Sequence, residues 1–190
     1  MANYFKHFPL LTYNKEVIRD ITKRVKFLDD LNNDPLSFMP YTVKDGESAQ
    51  DISYYYYGSP IYVWIIYVAN GIIDPLIEWP LSTRDLERTI VKKYKTRAET
   101  SEGTSLKYQG VLDWTKNATI NDNIVYYYNN EGRKISVDTY LYGGVEVADW
   151  SDRRIYDEEI IKNEEKRDIQ LLNKEYLDVA MDNLKEILGT

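Results

Sequence analysis

From Tyr41 to Pro80 the chain reads YTVKDGESAQDISYYYYGSPIYVWIIYVANGIIDPLIEWP, its densest run of apolar and aromatic positions and its clearest punctuation. Tyr41-Thr42-Val43 alternates as a short strand and runs into a turn at Asp45-Gly46. Ser48 and Asp51 have capping-box spacing, Ala49, Ile52 and Tyr56 share one helical face, and Gly58 fits the position just past a helix end. These predict a helix from Ser48 to Tyr57. Ser59-Pro60 is an N-cap and first-turn pair that opens a second helix, running to about Ala69 and stopped by Asn70-Gly71. Ile61, Trp64, Ile65 and Val68 make its core stripe, and the opposite side, Tyr62, Val63, Ile66 and Tyr67, is apolar too. A helix apolar all round is buried on more than one side, by the chain's own additions or by a partner. A hairpin over Tyr54 to Val68 is the competing pattern, since Tyr and Ile favour strands; Pro60 in the connection opposes it.

Upstream, Tyr4, Phe5, Phe8, Pro9, Leu10 and Leu11 form an apolar arm without a clear period, expected to be tied down rather than frayed. Val17, Ile18, Ile21, Val25, Leu28 and Leu31 recur at three- and four-residue spacing behind Asn14, predicting an amphipathic helix from Asn14 to Leu31. Downstream, Pro75 and Pro80 forbid a long helix before Leu81. Ser82 and Asp85 then cap a helix of about three turns through Leu86, Ile90 and Tyr94. Residues 96–110 read as a polar loop and domain boundary. Ile124 to Tyr128, a turn at Asn129 to Gly132, and Arg133 to Val137 read as a β-hairpin. From about Asp149 to Leu188 a charged tail is helical in character, divided near Asn173, and it either docks on a partner or folds back.

Composition narrows the chemistry. A net charge of −7 argues against a protein held mainly to nucleic acid, and Lys23-Arg24 and Lys92-Lys93 are too interspersed with acids to make a stripe. There is no cysteine, and His7 is the only histidine, which leaves thiol, disulfide, histidine-zinc and Ser-His-Asp chemistry without their parts. Eighteen tyrosines suit half-buried contact surfaces. The opening MANYFKHFPLLTYN lacks an apolar signal-peptide core, and Ile61 to Ala69 is too short to span a bilayer, so a soluble protein without a membrane partner is expected. The paired acids Asp29-Asp30, Asp157-Glu158-Glu159 and Glu164-Glu165 lie in charge runs and read as solvated faces. Gly143-Gly144 has no phosphate-loop context. No catalytic, cofactor or metal residue is expected, and an enzyme is not.

Tyr41-Thr42-Val43, Asp45-Gly46-Glu47-Ser48, Ile52, Tyr57-Gly58 and Ala69-Asn70 together resemble the LysM module, a small βααβ fold. That resemblance implies binding of N-acetylglucosamine-containing glycans by the loops Asp45 to Ser48 and Asn70 to Ile73. Where the closing strand is expected, Ile72 to Pro80 stands instead. Tyr57-Gly58-Ser59-Pro60, Trp64, Asn70, Asp74-Pro75 and Trp79, followed by a helix ending Lys93-Tyr94, resemble the baseplate wedge protein of T-even-type contractile-tailed phages. The hairpin at Tyr126 to Val137 and the segment Asn163-Glu164-Glu165-Lys166-Arg167 resemble it too. This implies a structural protein of the virion tail baseplate, assembled in the host cytoplasm. Its implied partners are other wedge subunits, including a lysozyme-like sheath-initiating one, with several copies per ring.

The expected fold class is α+β: a small LysM-like βαα core with an N-terminal helical arm, a β-hairpin insertion and C-terminal helices, in segments 1–40, 41–95, 96–148 and 149–190. Asp45, Gly46, Glu47, Tyr62, Tyr67, Asn70 and Trp79 are the candidate partner or glycan contacts. Gly58, Pro60, Trp64, Asp74 and Pro75 are the candidate structural residues.

Overall fold

A computed structural model describes residues 6–20, 31, 34–144 and 149–188. The fold is α+β, and the described residues form three small antiparallel sheets. Chain contacts gather two compact units, one within Met1–Pro80 and Lys166–Thr190, the other Leu81–Glu165. The second unit is thus an insertion into the first.

In the first unit, β1 (Leu10–Tyr13) and β2 (Glu16–Arg19) form a hairpin. Asn14 and Lys15 both have positive φ, 49° and 68°, as a two-residue hairpin turn requires. The helix expected from Asn14 is therefore a hairpin as far as Arg19; residues 21–30, 32 and 33 lie outside the described residues, as do Tyr4 and Phe5. The arm is tied down at Phe8, which is buried, and Arg19 Nη1 donates to the Lys6 and Phe8 carbonyls at 2.6 and 2.8 Å.

Next come β3 (Phe38–Thr42), α1 (Ala49–Tyr57), a 3-10 turn at Pro60–Tyr62, α2 (Val63–Ala69) and the short α3 (Pro75–Glu78). The capping box is complete: Asp51 N–H donates to Ser48 Oγ, and the Asp51 carboxylate accepts from Ser48 N–H. Gly58 closes α1 at φ 79°; a Cβ there would meet nothing within 4 Å, so the requirement is for backbone conformation alone. Both helices are present where the hairpin reading competed. The core stripe on α2 is Trp64, Ile65 and Ile66, whereas Ile61 is exposed; the 3-10 first turn rotates the stripe away from the phase an unbroken helix would give.

The chain then leaves for the second unit: α4 (Thr83–Glu102), α5 (Tyr108–Lys116), β4 (Ile124–Asn129), β5 (Lys134–Ile135), α6 (Val137–Tyr142), β6 (Trp150–Arg154) and α7 (Ile155–Glu164). The polar loop expected over 96–110 is helical to Glu102, because Ala98 is buried and Gly103, at φ 66°, supplies the stop. The expected hairpin pairs β4 with β5, but its second strand is short: Ser136 caps α6, so Val137 begins a helix. β6 lies on the other side of β4, within the tail read as helical. Leu86, Ile90, Val91, Val111, Leu112, Trp114 and Ile155 make this unit's core.

The chain returns with β7 (Asp168–Leu172), a 3-10 turn at Lys174–Tyr176 and α8 (Leu177–Leu188). β7 pairs antiparallel with β3, Tyr41 opposite Ile169, so β3–α1–α2–β7 is a strand–helix–helix–strand unit interrupted before its last strand. The closing strand that Ile72 to Pro80 does not provide comes after the insertion. β7 and α8 place Ile169, Leu171, Leu172, Ala180, Leu184 and Leu188 in one cluster with Val43, Ile52, Trp64, Ile65 and Ile66. The tail folds back, and with it much of the excess apolar surface of α2 is covered.

Both edges of this two-stranded sheet are blunted. Val43 N–H donates to the Arg167 carbonyl and Asn173 N–H to that of Ser37, so the backbone groups of Phe38, Pro40 and Thr42, and of Asp168, Gln170 and Leu172, point outward. On β3 the middle outward residue is proline, with no N–H to offer. On β7 the Asn70 amide accepts from Gln170 N–H (2.7 Å) and donates to its carbonyl (2.8 Å), as one residue of a third strand would. Tyr57 Oη donates to the Leu172 carbonyl at 2.9 Å. Strand addition is disfavoured on either side.

Candidate interaction surface

Five of the seven candidate contacts lie around the turn after β3, where Trp79 touches both Glu47 and Tyr67. Gly46 takes φ 73° there. Tyr41 Oη donates to the Glu47 carboxylate, 2.9 Å from each oxygen, and Lys44 N–H donates to it at 3.0 Å. Burial, then the hydrogen bond and charge of Glu47, push the Tyr41 hydroxyl up to about 12. Asp45 is held at 3.1 Å by Arg167, whose guanidinium is buried and also donates to the Val43 carbonyl. Trp79 Nε1 donates to the Glu47 carbonyl at 3.0 Å, and its ring meets that of Tyr67 edge-on at 6.1 Å. The polar groups of this turn are thus engaged inside the unit. Asn70 is engaged likewise, on Gln170 and on the Ile66 carbonyl. Tyr62 lies beside Tyr57 instead, edge-on at 6.0 Å.

Trp64 is buried, Pro60 opens the 3-10 turn, and Asp74 caps α3 by accepting from Leu76 N–H at 3.0 Å with Pro75 at the first helical position. α3 has further braces. The Glu78 carboxylate accepts from Ile73 N–H (2.6 Å) and Asp74 N–H (2.9 Å), and Lys166 Nζ donates to the Ile77 carbonyl at 2.6 Å. This bracing holds three aliphatic side chains out in solvent: Ile73, Leu76 and Ile77 are 66, 88 and 67 % exposed. A braced ridge of that kind is suited to docking, because its ordering cost is already met by the fold. The sequence reading names Ile73 only as the end of the loop after Asn70, and missed Leu76 and Ile77. Their signal is a Pro-bounded apolar run too short to reach a core from a regular helix. Leu10, Tyr13, Val17 and Ile18 on the β1–β2 hairpin and Tyr54 and Tyr55 on α1 are also exposed.

The acidic runs are less solvated than their composition implies. Asp29 and Asp30 lie outside the described residues, but Glu158 is buried, accepts from Tyr126 Oη at 2.7 Å and lies 3.2 Å from Lys162. Glu159 accepts from Lys93 Nζ at 2.8 Å and Tyr94 Oη at 2.7 Å. Burial opposes ionisation of both, yet their hydrogen bonds and the neighbouring ammonium charges outweigh it, so both carboxyls lie below the usual 4.5. A carboxylate with a lowered folded pKa adds stability above its unfolded value and loses it as pH falls through the folded one. The second unit is therefore expected to lose ellipticity as pH falls below about 4.5, and Glu159→Gln should flatten that acid limb. An acid limb unchanged in Glu158→Gln and Glu159→Gln together would contradict this. Among the described residues no group of three or more His, Cys, Asp or Glu could hold a metal ion, and no helix is long and apolar enough to cross a membrane.

Asn163, from the segment resembling wedge proteins, closes the neck of the insertion. Its amide donates to the Leu81 carbonyl at 3.0 Å and accepts from Leu81 N–H at 2.8 Å. A family model described as Base plate wedge protein 53 matches residues 12–187, across both units and the neck. The chain belongs to this family. Membership places it among structural proteins of the phage tail baseplate, which assemble with other baseplate subunits. The ordered combination Tyr57-Gly58-Ser59-Pro60, Trp64, Asn70, Asp74-Pro75 and Trp79 led to the same family as the whole-chain match. A comparison with curated proteins found no match.

Proposed function

We propose that this wedge protein is a non-catalytic joint that ties neighbouring wedge subunits together during baseplate assembly in the host cytoplasm. It serves in several copies per ring and contacts a lysozyme-like sheath-initiating subunit among its partners. The observation that carries the reading is the ridge of Ile73, Leu76 and Ile77, held exposed by Asp74, Glu78 and Lys166. Leu76→Asp with Ile77→Asp is expected to leave thermal stability within about 0.5 kcal/mol, as for exposed positions. Incorporation into a reconstituted wedge should fall about 30-fold or more, the loss of a hot spot worth about 2 kcal/mol. Normal incorporation of the folded double variant would sink the proposal.

A LysM-type glycan-binding module is the second reading, and the order β3–α1–α2–β7 favours it. Against it, Glu47 and Asn70 spend their polar groups inside the unit. Co-sedimentation with peptidoglycan or chitin is expected to fail at high protein concentration; binding weakened by Asn70→Ala in a folded variant would establish the module as active.

A further inference from the structure

We infer that Asn70-Gly71 is a latent deamidation site kept shut by β7: release of the strand frees the pair to cyclise, and the product holds β7 less well than the amide does. The inference does not rest on the ridge. Asn70 is the only asparagine in the chain followed by glycine. Such a pair cyclises readily, because a residue without Cβ leaves its main-chain N open to the side chain before it. In the reaction Gly71 N gives up its proton and its lone pair attacks Asn70 Cγ. The N–Cγ bond forms, the Cγ–Nδ2 bond breaks, and ammonia leaves with the proton. Water then opens the five-membered imide, at Cγ to give aspartate or at the main-chain carbonyl to give isoaspartate. No oxidant or reductant enters.

Three features of the fold stop the first step. Ring closure needs Asn70 Cβ and Gly71 N eclipsed about the Cα–C bond, which lies about 120° in ψ from the observed 6° and outside the well-populated backbone regions. Gly71 N–H is engaged, donating to the Val68 carbonyl at 3.2 Å. The amide is held at both ends: Nδ2 donates to the Ile66 and Gln170 carbonyls, each at 2.8 Å, and Oδ1 accepts from Gln170 N–H at 2.7 Å. Two of these three side-chain bonds come from one residue of β7, a strand that follows the insertion in the chain. With β7 away, only the Ile66 bond still holds the side chain. The product is a poorer lock. Aspartate still accepts from Gln170 N–H, but it turns oxygen lone pairs on the Gln170 and Ile66 carbonyls, where the amide gave N–H groups. Isoaspartate also adds a carbon to the main chain and moves the carboxylate out of register. Deamidation therefore makes the release of β7 hard to reverse.

The test incubates the full chain in mildly alkaline buffer, native and in urea, and follows the exchange of NH2 for OH at Asn70 by peptide mass spectrometry. The native protein is expected to react slower by about tenfold or more, because reaction must pass through an opened state. Leu171→Ala, which empties a buried site on β7, should speed the native reaction; Ile169→Val is the milder form should Leu171→Ala not fold. Ile90→Ala, a similar loss in the core of the second unit, should leave the rate at Asn70 unchanged. Asn70→Asp, the product made by substitution, should raise hydrogen exchange at Ile169 and Leu171, whose N–H groups face β3, by about tenfold. Equal native and urea rates, no gain in the folded β7 variant, an equal gain in Ile90→Ala, or unchanged exchange in Asn70→Asp would each overturn the inference.

Discussion

Trp64→Ala is expected to destabilise the first compact unit by about 3–5 kcal/mol, the usual cost of emptying a buried large aromatic site. Trp64 is 5 % exposed and shares its cluster with Val43, Ile52, Tyr57 and Ile65 from its own part of the chain and with Ile169, Leu171 and Leu184 from beyond the insertion. The cavity would open in a cluster to which both stretches of chain contribute. Since a whole domain is stable by only about 5–15 kcal/mol, the loss would bring this unit close to its unfolding midpoint. Urea unfolding followed by far-UV ellipticity measures it, with hydrogen exchange at Ile65, Ile169 and Leu171 as the local check. A loss below about 1 kcal/mol would show that the indole is not part of the core. Trp64→Phe, which refills part of the volume, should recover part of the loss.

Local chemistry was legible in the sequence. The Ser48–Asp51 box, Gly58, Ser59-Pro60, Asn70-Gly71 and Ser82–Asp85 each act within a few residues, and each sits where its pattern placed it. Non-local pairing was not legible. Ile169 and Leu171 alternate as a strand should, but five residues amid charges and next to a helix carry too little period to stand out. Their partner is far back in the chain: Thr42 and Asp168, 126 positions apart, join side chain to side chain at 2.9 Å. At the N-terminus, Val17 and Ile18 share helical spacing with Ile21 and Val25, and Asn14 has the chemistry of a cap. Asn serves helix starts and positive-φ turns alike, and here the turn won. For the candidate contacts, residue type alone does not give exposure. Glu47, Asn70 and Trp79 have polar groups that a fold can use internally, and it does. Ile73, Leu76 and Ile77 look like core material, and they are the ones left outside.

The second unit has its own point of greatest sensitivity, at a polar residue. Asn123 is fully buried in the segment between α5 and β4. Its amide donates to the Trp114 and Asn117 carbonyls at 2.6 and 2.9 Å and accepts from Arg154 Nη1 at 2.6 Å. Arg154 in turn donates to the carbonyls of Asn117, Ala118 and Ile120, so one buried amide and one guanidinium together satisfy the inward backbone of this loop. Asn123→Ala removes three hydrogen bonds at once, one of them to a cation. No carbonyl is wholly orphaned, since that of Trp114 keeps Asn117 N–H and that of Asn117 keeps Arg154. The expected cost is therefore about 3 kcal/mol, two ordinary bonds and one charged one, rather than the sum for unpaired groups. Asn123→Asp separates the two halves of the role. It keeps an acceptor for Arg154 but turns a lone pair on the two carbonyls that the amide N–H groups served, so it should recover only part of the loss. Urea unfolding of the three proteins decides it. Full stability in Asn123→Asp would mean that the Arg154 contact alone holds the loop, and a loss below about 1 kcal/mol in Asn123→Ala would mean that solvent replaces the amide without strain.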